Sequence, residues 1–143
     1  MNHALHHFKN KDQVLTEIHR ILKNGGIYEL HNISIHDMPK WWIYYYFPSA
    51  YDEDVKRYWS KVTIFNELSN LGFKAQLKIG YRMEEVKAAD YLDHAENRGI
   101  SVLTLINDED YKQGCERLKY DVKKDRQSTI TNDFAEMFCI AMK

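Results

Sequence analysis

Cysteine and proline are scarce in this sequence, with two of each in 143 residues. Cys115 and Cys139 have neither metal-ligand spacing nor the makings of a disulfide framework. Both fall in apolar registers, so two buried thiols in a reducing compartment are expected. Charge of one sign is also missing. A net charge of −1, with basic and acidic residues interspersed, gives no long-range pull toward nucleic acid or an anionic membrane. No apolar run is long enough to cross a bilayer. The first residues, Met1-Asn2-His3-Ala4-Leu5-His6-His7, lack the basic and apolar regions of a signal peptide. A cytoplasmic protein without nucleic-acid or membrane partners is expected.

The apolar fraction, 44%, is ordinary for a globular chain, and the length allows one domain with a real core. Organisation starts at Val14, Leu15, Ile18, Ile21 and Leu22, one face at helical spacing. Asn10 and Asp12 stand where a helix start wants a side-chain acceptor. Asn24-Gly25-Gly26 can end the helix in left-handed backbone. Residues 27–35 then read as a strand. Glu29, His31 and Asn32 interrupt its apolar pattern, so its later half is expected to open onto a cleft or solvent.

The two prolines, Pro39 and Pro48, bracket six aromatic residues: Trp41, Trp42, Tyr44, Tyr45, Tyr46 and Phe47. This stretch is either a cover for the core or the wall of a ligand pocket. A short helix is expected over 52–59. Ser60 can cap the next, which carries Ile64, Phe65, Leu68 and Leu71 and stops at Gly72. Phe73, Ala75, Leu77 and Ile79 alternate with Lys74, Gln76 and Lys78, a half-buried strand suited to a sheet edge. Charged residues 82–97 predict helix, and the apolar run 100–106 could be strand or buried helix, with helix or loop preferred. From Asp108 a helix carries Tyr111, Cys115, Leu118 and Val122 on one face, and 134–142 fits a central buried strand. The alternation predicts an α/β fold: about three strands with helices packed on them.

Five stretches, in order, resemble the C-terminal part of class I S-adenosylmethionine-dependent methyltransferases, in the type 11-like group of small-molecule methylases. They are Leu5-His6-His7-Phe8, the run from Glu17 to Gly26, Phe47-Pro48-Ser49 with Asp54 and Arg57, Leu71-Gly72-Phe73, and 97–101 with Gly114 and Leu118. The resemblance implies a partial Rossmann-like fold holding the equivalents of strands 5, 6 and 7, the last antiparallel between the other two. Residues 1–143 would be a single domain, with 82–126 a helical substrate-side insertion and late helix. It departs from the family in having Asn24 where a proline is usual. It also lacks the glycine-rich cofactor loop: the six glycines, at 25, 26, 72, 80, 99 and 114, include no G-x-G pair.

The implied reaction is methyl transfer from S-adenosylmethionine to a small acceptor, with the chain inactive alone. The alternative is a non-catalytic remnant acting as a binding or oligomerisation module. In the family the loop matching Leu5, His6 and His7 lies beside the cofactor, so these residues are candidate cofactor contacts, and His6 and His7 candidate acid–base groups. His31 and Asn32 lie where open α/β sheets place ligands, and with Trp42, Tyr45, Tyr46 and Arg57 they are candidate substrate contacts. Asp54 and Arg57 could also form an ordinary i,i+3 pair. His3 and His7 are one helical turn apart, but spacing fixes no third ligand, so no metal site is expected. A strand at 27–35 without its usual neighbour would be an apolar edge. A homo-oligomer, or a missing N-terminal half on another segment or protomer, is expected to cover it.

Overall fold

A computed structural model describes residues 1–143. In chain order the regular elements are α1 (Lys11–Ile21), β1 (Ile27–Ile33), α2 (Trp42–Tyr46), α3 (Pro48–Arg57), α4 (Lys61–Asn70) and β2 (Lys74–Lys87). Then follow α5 (Leu92–Glu96), α6 (Asp108–Lys124) and β3 (Thr129–Met142). The sheet order is β1-β3-β2, so the strand read from sequence as central is central. Asn2 adds an isolated parallel bridge to His31. No helix is long and apolar enough to cross a membrane.

The chain divides into two compact units, and the divisions fall after Asp37 and inside α3, β2 and β3. The first contains residues 1–37, 57–81 and 135–143. Its helix α1 starts after Asn10, although the Asn10 side chain makes no capping bond. Gly25, at φ +81°, turns the chain into β1, while its N–H donates to the Lys143 carbonyl at 2.8 Å. β1 ends at Ile33, two residues short of expectation, and a tight helical turn follows at Ile35–Asp37. Ser60 caps α4 by accepting from the Thr63 N–H, and Gly72, at φ +96°, ends it.

β1 and β3 are antiparallel, with His31 opposite Phe138 and Leu30 opposite Cys139. The period-2 pleat sorts their side chains into two faces. Tyr28, Leu30, Met137, Cys139 and Ala141 join Leu15, Ile64, Leu68 and Phe73 in the core. Ile27, Phe138, Ile140 and Met142 face the other way and are exposed. Both thiols are free and buried, and burial pushes Cys139 up from its ordinary value.

The second unit contains residues 38–56 and 82–134. β2 continues through Arg82–Lys87, where the charged sequence predicted helix, and only Leu92–Glu96 of that stretch is α-helical. Helix α3 likewise begins at Pro48, four residues ahead of expectation. In α6, Asn107 caps the start and the buried stripe is Gly114, Cys115, Leu118 and Val122. Gly114 brings α6 against the end of α2: a Cβ there would sit 2.2 Å from the Phe47 ring. Five of the six bracketed aromatics are buried; Tyr45 is exposed. The loop around them is tied down by backbone N–H groups of Lys40 and Trp42, which donate to Asp133 and Asn132 at 2.9 and 2.8 Å.

Candidate functional site

In the first unit the chemistry-bearing residues gather at the end of β1. Leu5–His7 forms a single tight helical turn. Leu5 anchors it in the core. His6 is 7% exposed and stacks on Tyr58, with ring centroids 4.2 Å apart and planes 16° apart. Asn32 lies close to the His6 ring, and His6 Nδ1 is buried without a partner. Burial first, then the neighbouring His7 and Arg57, lower the His6 pKa to about 4. His6 is therefore a neutral imidazole at pH 7, a weak proton acceptor but a competent hydrogen-bonding group.

His7 is exposed, its ring 3.9 Å from that of His6. The Arg57 guanidinium lies 5.5 Å from the Tyr58 ring centroid. Asn32 is buried, and its Oδ1 accepts from the Ile33 N–H. His31, on the opposite pleat face, stacks on Phe138 at 4.4 Å and sits 3.1 Å from a Glu136 carboxylate oxygen. Four of the residues singled out from sequence thus come together here, His6, His7, Asn32 and Arg57, while His31 lies on the opposite pleat face beside Phe138 and Glu136. Tyr58 and Glu136 were not anticipated. Glu136 meets His31 only through the strand register, which sequence spacing does not reveal.

Trp42, Tyr45 and Tyr46 belong to the second unit. Trp42 is buried and stacks on Tyr91 at 4.7 Å. The Tyr46 ring is buried, and its hydroxyl donates to Asp121 at 2.8 Å. Burial and that carboxylate raise its pKa far above the ordinary phenol value. Arg117 donates to the Tyr46 carbonyl. Tyr45 and Tyr46 line one wall of a cleft of about 770 Å³ whose other wall is Gln113, Glu116, Arg117, Tyr120 and Asp121 of α6. Tyr45 also borders a second cleft, of about 470 Å³, with Pro39, Lys40 and Glu85. Asp54 accepts a hydrogen bond from the Tyr44 hydroxyl at 2.7 Å.

Residues 1–30, which contain the histidine turn and α1, match the profile of a methyltransferase-domain family. Among solved structures the chain is similar to a protein assigned as a methyltransferase of an antibiotic biosynthesis pathway in Anabaena variabilis. The TM-score is 0.65 at 21% identity, over 95% of this chain and 63% of that one. The fold is methyltransferase-like. A protein assigned as a methyltransferase in Bacillus halodurans gives 0.58 at 19% identity, over 99% of this chain and 67% of that one. The YcgJ protein of Bacillus subtilis gives 0.52 at 14%, over 99% and 61%. No curated protein matches the chain. The chain spans 63% of the Anabaena protein, under two thirds of its length. The methyltransferase-like fold agrees with the order of the three strands, with the antiparallel β3 between β1 and β2 as the resemblance implied.

Proposed function

We propose that this chain is the substrate-side portion of an S-adenosylmethionine-dependent methyltransferase acting on a small-molecule acceptor, inactive until a cofactor half joins it. One observation carries the reading. The histidine turn is held at the outer edge of β1, where Asn2 bridges His31 in parallel, as a preceding parallel strand would. The orphaned, buried Nδ1 of His6 fits a polar ligand group there. The sequence brings no glycine-rich loop, so the remainder of the cofactor contacts would come from another segment or protomer.

When bound, the cofactor supplies an electrophilic methyl group. The chain's own residues then align the acceptor and exclude water. His6, neutral and stacked, orients by hydrogen bonding. His7, exposed beside it, is the imidazole able to take the acceptor's proton. Arg57 favours an acceptor carrying negative charge.

A second reading, an oligomerising remnant, is favoured by the exposed apolar face of Ile27, Phe138, Ile140 and Met142. Either a missing half or a second copy would cover it. Isothermal titration with S-adenosylmethionine and S-adenosylhomocysteine, with light scattering on the same sample, separates these. The chain alone is expected to bind neither, and stoichiometric binding would overturn its dependence on a cofactor half. A chimera joining the N-terminal part of the Anabaena relative to this chain is expected to bind S-adenosylhomocysteine. A folded chimera that does not bind would overturn the methyltransferase reading.

A further inference from the structure

The pleat face opposite the core carries a second constellation that methyl transfer does not use. We propose that His3, His31 and Glu136 form a binding site for one divalent transition-metal cation of the zinc class. Their ligand atoms, two imidazole nitrogens and a carboxylate oxygen, all lie within 4.8 Å of one another. His31 Nε2 and Glu136 Oε1 are 3.1 Å apart. Two ligands each about 2.1 Å from a tetrahedral zinc stand about 3.4 Å apart, so this pair is already close to one edge of such a site.

The backbone explains why the three meet. Phe138 is opposite His31, and Glu136 lies two residues along β3, on the same pleat face and diagonal to His31. The Phe138 ring, 13° from parallel at 4.4 Å, holds the His31 imidazole plane. His3 is brought in from the other side of β1. Its N–H donates to the His31 carbonyl at 2.8 Å, and the His31 N–H donates to the Met1 carbonyl at 2.9 Å. His3 also takes φ +48°, backbone that non-glycine residues seldom adopt. That conformation sets its ring 4.5 Å from the His31 ring.

Two imidazoles and one carboxylate suit a borderline cation better than magnesium or calcium, which prefer all-oxygen shells. Three protein ligands leave a fourth position for water or a small ligand. Spacing along the chain offered only His3 with His7 and no third ligand, so no metal site was expected; the structure brings His3 to residues 28 and 133 positions away. The bound ion would clip residues 1–3 onto β1 and β3. This inference does not depend on the methyltransferase reading, because its readouts are metal uptake and stability.

The test is isothermal titration of the full, untagged chain with Zn²⁺, alongside Co²⁺ absorption spectra. One Zn²⁺ per chain is expected, with Co²⁺ giving the intense visible bands of tetrahedral coordination. His3→Ala removes an exposed side chain and Glu136→Gln keeps the shape of a half-buried one, so both variants should fold. Each is expected to weaken Zn²⁺ binding at least tenfold and to abolish the metal-induced rise in Tm. His94→Ala, in the second unit, should bind as the parent does. Absence of saturable binding, or unchanged affinity in both His3→Ala and Glu136→Gln, would overturn the assignment.

Discussion

Replacing Gly114 by alanine pits two known effects against each other. In an isolated helix the change is favourable by about 1 kcal/mol. Here the new Cβ would stand 2.2 and 2.3 Å from two Phe47 ring atoms and 2.7 Å from the Tyr46 carbonyl oxygen. Reaching even the 3.4 Å of an ordinary contact requires the ring to retreat by at least 1.2 Å. It has nowhere to go: Phe47 is fully buried and stacked on Tyr111, with ring planes 15° apart. The carbonyl is backbone, so α2 itself must move. Overpacking of this kind costs about 3 kcal/mol at the upper end of the usual range. Subtracting the propensity gain leaves a net loss of about 2 kcal/mol. For a chain of this size that lowers Tm by about 5–8 °C. Thermal unfolding followed by circular dichroism is the assay, with Gln113→Ala as the control at an exposed neighbouring position of α6. Gln113→Ala should stay within about 0.5 kcal/mol of the parent. A Gly114→Ala variant as stable as the parent, or more so, would refute the close approach of α2 to α6.

Two further predictions rest on single side chains. Since folding lowers the His6 pKa from 6.5 to about 4, the unfolded chain binds more protons between these values. The His6 contribution to stability is therefore present above pH 6.5 and lost as pH falls toward 4. Replacing His6 by Phe, which preserves a ring on Tyr58, should flatten the Tm–pH curve in that window; a parallel curve would refute the burial argument. Ser60→Ala removes the cap of α4 and should cost about 1 kcal/mol by urea denaturation, whereas no change would mean the Thr63 N–H finds water as readily.

Much of the fold was legible because it is written in local signals. The Ser60 cap, the Gly72 stop and the alternation from Phe73 to Ile79 each act over a few residues, and each is found as expected. The far half of β2 was not legible. Tyr81 to Glu85 are all exposed, so neither face carries an apolar stripe and periodicity has nothing to report. The extended conformation there comes from pairing within the sheet, a non-local cause. The division into two units is equally non-local, since each unit is assembled from separate stretches of chain. The site followed the same rule. The histidine turn is contiguous and was seen; Tyr58 beside it and Glu136 beside His31 were not. Of the aromatic residues between the prolines, composition could not say which face inward, and burial leaves only Tyr45 exposed.

The position of β3 has a consequence for how the molecule comes to exist. The middle strand is the last of the three to be synthesised, and β1 finds its antiparallel partner only in it. Beyond β3 the chain locks back: the Lys143 ammonium donates to the His19 and Leu22 carbonyls, the former 124 residues earlier. Until β3 has left the ribosome, β1 and β2 have no strand between them. Such distant pairing makes folding slow, with strand edges open until β3 is made. A nascent chain stalled before residue 129 should therefore be held by chaperones or cleared, while one that already carries β3 can close its sheet.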